Sequence, residues 1–346
     1  MSRLKARNPG SITIRDVAKQ ANVSVATVSR TLNGMQHVAE EVRQRVMAAV
    51  QALHYVPHHA ARSLSSRRTQ TIGVVLPDLH GEFFSELIRG VDQGARQHGY
   101  HLLVSSHHGQ ADEQRLALQR LPGRVDGALV MAPCGDQEGR PADLPAGLPV
   151  VLINAGRQPG TVPALNVDNH GGALSMTQHL IGAGHRRIAF ICGPQDSFDA
   201  RERLCGYRDA MLAAGLAPWV VEGSFDEASG YRAGQQLANG PLPDAVFAAN
   251  DMMALGCLFA FNHTGIAVPE QIALAGFDDV PMARYVHPAL TTMRVDIAGL
   301  GLQALQYLLQ HIAPASDALP TAPSLPGPIP ELIVRASSTS RSPTEA

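Results

Sequence analysis

Residues 12–34 read ITIRDVAKQANVSVATVSRTLNG. Ile14, Val17, Ala18 and Ala21 recur at the spacing of one helical face, which predicts a helix over 14–21. Asn22-Val23 breaks the pattern, and the Ser24 hydroxyl can accept an orphan N–H of a following helix. A second short helix is expected over Val25–Leu32, with Val28 and Leu32 inward and Asn33-Gly34 as its stop. Residues 40–53 (EEVRQRVMAAVQAL) put Val42, Val46, Ala49, Val50 and Leu53 on one face of a third. Two short helices around a tight turn, plus a packing helix, make a helix-turn-helix unit.

The charge distribution supports this reading. Residues 1–68 hold eleven Lys/Arg against three acids, a net +8; the remainder holds seventeen against twenty-seven, a net −10. A basic head on an acidic body marks a polyanion-binding module joined to something with a different partner.

From residue 71 short apolar runs alternate with amphipathic ones. Strands are expected at Ile72–Leu76, Leu102–Ser105, Ala128–Met131, Val150–Ile153, Ile188–Ile191, Val246–Ala248 and Ile272–Phe277. Helices are expected at 83–97, 112–121, 171–182, 200–213, 229–238, 252–263 and 297–312. Gly99, Gly184, Gly215 and Gly265 follow helices, where a left-handed cap suits glycine. This βαβ series predicts parallel sheets, and its length predicts two lobes with a cleft. Residues 313–330, with six prolines, read as extended connection.

Several classes are excluded at this level. No apolar run reaches the roughly 18 residues of a membrane span, and the start MSRLKARNPGS has no apolar segment of a secretory signal. Cys134, Cys192, Cys205 and Cys257 form no CxxC pair, which fits reduced thiols in a cytoplasmic protein. Neither GxGxxG after a strand, nor a P-loop, GxSxG or HExxH is present, so no enzyme, metal or cofactor is expected.

The stretch 12–34 resembles the DNA-binding head of the LacI/GalR family of bacterial transcription regulators, and YVPHHAARSL (55–64) resembles its hinge helix. The likeness continues through VDGALVMAP (125–133), VDNHGGA (167–173), GHRRIAFICGP (184–194), ARERLCGYRDAM (200–211), AANDMMALG (248–256), GFDDVPMARYVHPALTT (276–292) and IVRASS (333–338). It implies an all-α helix-turn-helix head on a two-lobed, periplasmic-binding-protein-like body of doubly wound parallel sheets. The implied domains are a head over 1–57, a hinge and linker over 58–70, and an effector-binding body over 71–340. Its N-lobe is expected at about 71–168 and 297–326, its C-lobe at about 169–296 and 327–340, with a tail at 341–346. Two departures stand out: Gly81-Glu82 where the family often has Asn-Pro, and Ala39 in place of a serine cap.

The resemblance also implies the sites. Val25 and Ala26 would meet base edges, where they can pack only on thymine methyls. Arg30 is the candidate for guanine, with a phosphate contact as the alternative. Ser29 flanks the reading positions, Thr13, Ser24, Thr27 and Asn33 would position the backbone, and His37 lies at a family position close to DNA. Leu64 matches a leucine that wedges into the minor groove, and Ala61 lets two hinge helices approach. A pseudo-palindromic double-stranded operator then calls for a homodimer; no leucine-heptad tail argues for a tetramer.

In the body, Arg203, Asn250, Asp278 and Phe225 match effector-contacting positions, with Phe83, Phe84, Ser197 and Asp199 in second rank. Arginine and asparagine donate and aspartate accepts, which suits the vicinal diols of a sugar. The segments 222–233 and 283–292 resemble the purine-responsive branch, but Ser197 and Ala155 replace that branch's arginine and tryptophan. The expectation is a repressor of carbohydrate genes released by a sugar; the alternative is a regulator needing a nucleobase or other metabolite as corepressor.

Overall fold

In a computed structural model, residues 12–32, 38–55, 68–131, 144–156, 162–312, 324–325 and 327–339 are described. They divide into two units, 1–69 and 70–346. Asn33, His37, Ala61, Leu64, the expected hinge helix and Cys134 lie outside the described residues.

The first unit contains α1 (Ile14–Ala21), α2 (Val25–Leu32) and α3 (Glu40–Ala52). Asn22, in the left-handed region at φ 52°, turns the chain between the first two, a conformation that asparagine tolerates. Thr13 precedes α1, and its N–H and hydroxyl donate to the Asp16 carboxylate at 2.8 and 2.7 Å. Ser24 caps α2, its hydroxyl accepting the Thr27 N–H at 3.1 Å. Ala39 gives α3 no side-chain cap, a loss of about 1 kcal/mol relative to serine. Val17, Val28 and Val46 close a core to which Tyr55 adds its ring.

The second unit holds two six-stranded sheets. The first contains β1 (Thr71–Leu76), β2 (His101–Ser106), β3 (Gly127–Met131), β4 (Val150–Ile153), β5 (Ala164–Leu165) and β11 (Ser324–Leu325), ordered β11-β5-β4-β3-β1-β2, every pair parallel. The second contains β6 (Ile188–Ile191), β7 (Trp219–Val221), β8 (Ala245–Ala248), β9 (Ala273–Asp278), β10 (Thr291–Arg294) and β12 (Glu331–Ile333), ordered β12-β10-β9-β8-β6-β7. Only the β10–β12 pair of these is antiparallel. Central strands are buried along their whole length, as expected when helices cover both faces. The chain passes between sheets after β5, after β10 and after β11.

Seven strands lie where the sequence places them. The other five are two to four residues long, too short to show a period, and β10 reads Thr-Thr-Met-Arg rather than apolar. The four predicted cap glycines have φ between 70° and 99°.

The body helices are α4 (Glu82–Gln97), α5 (Ala111–Gln119), α6 (Asn169–Gly182), α7 (Phe198–Ala213), α8 (Glu227–Ala238), α9 (Asp251–Thr264) and α10 (Ile297–Ile312). All but α10 begin one or two residues earlier than the amphipathic pattern predicts. For four of them the cause is a polar cap: Asp168, Ser197, Asp226 and Asn250 accept the N–H of Gly171, Ala200, Ser229 and Met253 at 2.6 to 3.3 Å. Buried polar residues sit in their first turns: Asn169, Asp199, Ser229 and Asp251. Helices α8 and α9 cross closely: a Cβ on Gly230 would lie 2.1 Å from the Met253 carbonyl oxygen, and one on Gly256 2.0 Å from that of Glu227. That crossing brings the Asp226 and Asn250 caps side by side.

Candidate functional site

In the head, the start of α2 is the accessible surface. Ser24, Val25, Ala26 and Arg30 are exposed, and Thr27 and Ser29 are half-buried. Val25, a large aliphatic residue 41% exposed, has no packing reason to be there, which suits a surface that meets apolar groups such as thymine methyls. The polar members are partly engaged: the Ser24 and Thr27 hydroxyls lie 2.8 Å apart, and Thr13 is tied to Asp16. Their order favours shape and backbone positioning over free-swinging readout.

In the body, the expected effector residues gather at the C-terminal ends of strands, the region where ligands bind in open α/β sheets. Arg203 is at the centre. Its Nε donates to Asn169 Oδ1 at 2.7 Å, its Nη1 to the Ala249 carbonyl at 2.6 Å, and its Nη2 lies 3.0 Å from Asp278 Oδ1. Its guanidinium stands 3.8 Å above the Phe277 ring centre and 5.9 Å from that of Phe225. The Arg203–Asp278 ion pair is buried, with both side chains at most 5% exposed. The Arg203–Asp278 contact is close but off the N–H direction, since Asp278 Oδ1 has no aligned hydrogen-bond donor among the described residues.

Asp199 accepts from the Asn154 and Asn169 amides at 2.8 and 2.9 Å. Asn154 follows β4 of the first sheet, so this carboxylate ties the two lobes. Burial pushes the Asp199 carboxyl up to about 6, against the pull of Arg203 and the two amides. Burial likewise raises Asp278 to about 6, with Arg203 opposing and Asp199 reinforcing. Asp251 is pushed well above the carboxylate range by burial and by Asp278; it holds Val280 N–H at 2.9 Å and the Thr292 hydroxyl at 2.6 Å.

These raised carboxyls fix a sign. The folded state binds more protons than the unfolded chain between about pH 4 and 6, so stability declines as pH rises through that window. Asp199→Asn is expected to flatten the decline by about 1–3 kcal/mol. Unfolding titrations at several pH values check this; an unchanged slope sinks it.

Asn250 is both cap and strut: its Oδ1 holds the Met253 N–H and its Nδ2 donates to the Phe225 carbonyl at 2.9 Å. Phe225, left-handed at φ 68°, lays its ring over Gly193, where a Cβ would come within 2.5 Å of it. Ser197 serves as a cap. Phe83 and Phe84 are half-buried, edge to face at 5.6 Å. Three contacts join the lobes nearby: Met282 N–H to Glu82 at 2.8 Å, His80 to Glu227 at 3.4 Å, and the Phe198 ring against Gly156. Glu82, one of the two departures from the family pattern, thus reaches the other lobe.

Sequence reasoning missed Asn154, Asn169, Phe198 and Asp251. The first has no local signal; the others lie in polar helix starts that an amphipathic search skips. Among the described residues no cluster of three metal-ligating side chains occurs, and no helix is long and apolar enough to cross a membrane. Cys192, Cys205 and Cys257 are free thiols.

Comparison with known proteins agrees with this geometry. A family model described as bacterial regulatory proteins, lacI family, matches residues 13–58, and a periplasmic binding protein-like domain matches 177–338. The HTH-type transcriptional repressor PurR of Escherichia coli is 39% identical over 313 residues, covering 87% of this chain and 90% of the relative. The lac repressor dimer bound to operator and the anti-inducer ONPF aligns with a TM-score of 0.84 at 28% identity, covering 96% of this chain and 100% of that one. The complex of the transcriptional regulator CelR with cellobiose aligns with a TM-score of 0.68 at 33% identity, covering 94% and 99%.

Proposed function

Because this chain belongs to the lacI family of bacterial regulatory proteins and is a DNA-binding transcriptional repressor, we propose that it binds a pseudo-palindromic operator as a cytoplasmic homodimer and is released when a sugar enters the interlobe cleft. The domain limits given above, 1–57, 58–70 and 71–340, belong to this reading. So does the absence of catalysis, which accords with relatives that are transcription regulators.

The observation that supports the sugar is the buried Asp278 carboxylate paired with the Arg203 guanidinium, with the Phe225 ring beside them. A ligand hydroxyl can donate to such a carboxylate, and a second can accept from a guanidinium N–H. The Phe225 ring offers a face for the apolar side of a pyranose, with Phe83 and Phe84 on the opposite lobe. Asn250, Asp199 and Ser197 hold this arrangement in place, each by hydrogen bonds within the protein.

The alternative is corepression by a nucleobase, which the likeness of segments 222–233 and 283–292 to the purine-responsive branch favours. Operator titration of the full chain against neutral sugars and nucleobases separates the two. A sugar that weakens operator binding is the expected result. A nucleobase that tightens it replaces this reading with the alternative.

On the DNA side, Arg30, Val25 and Ala26 are the base-reading candidates, with Asn33, His37, Ala61 and Leu64 resting on the family resemblance. Arg30→Ala is expected to cost about 1–3 kcal/mol on the operator and to relax preference at one base pair. Competition against single-base operator variants measures this. An equal loss on random DNA reassigns Arg30 to a phosphate.

A further inference from the structure

Arg203 is joined to the other lobe by an unbroken chain of side-chain hydrogen bonds. Its Nε donates to Asn169 Oδ1 at 2.7 Å, Asn169 Nδ2 donates to Asp199 Oδ1 at 2.9 Å, and Asn154 Nδ2 donates to Asp199 Oδ2 at 2.8 Å. Asn154 Oδ1 accepts the Val167 N–H at 3.1 Å, in the segment where the chain first passes from one sheet to the other. All four residues of the chain are buried, Asn154 completely.

Both ends are held. On the first lobe, Asn154 stands in the left-handed region at φ 51°, which asparagine tolerates, and its backbone N–H donates to the Leu165 carbonyl at 2.9 Å. Asn166 accepts the N–H groups of Ala155 and Gly156, both at 3.0 Å, so residues 154–156 form a pad fixed to β5. On the second lobe, Asp199 and Arg203 are four positions apart on α7 and share a face. The neighbouring Phe198 ring presses on Gly156, where a Cβ would lie 2.8 Å from it. The first turn of α7 thus meets the pad through one polar and one apolar contact, and a tilt of α7 that moves Arg203 moves Asp199 against Asn154. The other polar contacts between the lobes, Glu82 to Met282 and His80 to Glu227, are at exposed positions. The Asn154–Asp199 bond is sealed from water, so solvent does not make good its loss.

Resting on the cleft reading above, we propose that Asn154 is a positioning residue for the regulatory response: its hydrogen bond to Asp199 is the contact through which Arg203 sets the arrangement of the lobes. A ligand gripping Arg203 then biases the same two-state element that operator binding biases, as linkage requires.

The polarity of the bond can be exchanged. In Asn154→Asp two carboxylates face each other, and repulsion replaces the bond. In Asp199→Asn one of two amide donors loses its acceptor. In the double variant Asn154→Asp/Asp199→Asn, the amide at 199 can donate to position 154 and accept from Asn169, so every donor and acceptor is matched again.

A duplex selected from a randomised library by the wild-type chain serves as operator. Its affinity for the full chain is measured by fluorescence anisotropy with no small molecule added, alongside urea unfolding of each protein. The pH is 8, above the Asp199 carboxyl at about 6. Each single variant should change the affinity by roughly fivefold or more, both in the same direction, and the double variant should recover most of that change. Tyr207→Phe removes a buried hydroxyl bonded to the Ile188 carbonyl inside the second lobe; it measures stability loss alone and should leave the affinity as it is. Weaker binding marks the paired arrangement as the operator-binding one and tighter binding marks it as the releasing one; either, with recovery in the double variant, supports the role. If Asn154→Asp does not fold, Asp199→Asn and the double variant carry the comparison. Affinity unchanged in the single variants overturns the role. So does a double variant no better than the singles, or a shift that Tyr207→Phe reproduces. If affinity moves and recovers but no sugar acts on the wild type, the role of the pair stands and the sugar reading falls.

Discussion

Arg203→Ala is expected to lower the unfolding free energy of the body by about 3–5 kcal/mol, because it strands a buried charge. The side chain anchors Asn169 and the Ala249 carbonyl, faces the Asp278 carboxylate and stacks on Phe277. Alanine leaves Asp278, 3% exposed, without a counter-charge. The carboxyl then takes a proton or draws in water, and either relaxes the ends of β8 and β9. Urea unfolding of the single variant, of Asp278→Asn and of the double variant measures this. The double variant should recover part of the stability, since no unpaired charge remains. A single-variant loss below about 1 kcal/mol would falsify the buried-pair account. At temperatures where Arg203→Ala stays folded, effector response should vanish while effector-free operator binding stays near wild type, since Arg203 belongs to the second unit. If the ligand response survives intact, the effector does not use this floor.

Removal of residues 1–65 should abolish operator-specific binding, a loss of about 10³–10⁷-fold. The segment 1–68 carries +8 on a chain whose total is −2, and it contains α1, α2 and α3. Binding by the intact protein should fall steeply with salt through counterion release. The truncated body should keep its effector affinity, since none of the cleft residues lies before residue 71. Fluorescence anisotropy on operator and random duplexes, across a salt series, supplies the comparison. Specific operator binding by the truncated chain would overturn the domain assignment.

What the sequence by itself determined is whatever repeats with a period or stops with a breaker. The helices 14–21 and 25–32 are bounded by Thr13, Asn22 and Ser24, residues whose side chains and backbone preferences act locally. The long buried strands read as unbroken apolar runs, because a parallel sheet covered on both faces needs no alternation. The family resemblance named Arg203, Asn250, Asp278 and Phe225 one position at a time, and the fold brings them to one place.

Only the tertiary structure decided how they are used. Asp199 and Asn154 are 45 positions apart in the chain, yet hydrogen-bond across the lobes. Nothing local marks Asn154 for that role. Asn250 and Ser197 look like ligand donors in the sequence, but the backbone N–H groups of helix starts claim them first. The short strands form because a neighbouring strand already offers its backbone groups, a reason absent from their own two to four residues. The charge on Arg203 is legible in its name; its burial against Asp278 and Phe277 is not. Burial, and with it the raised carboxyls, depends on what distant segments pack above it.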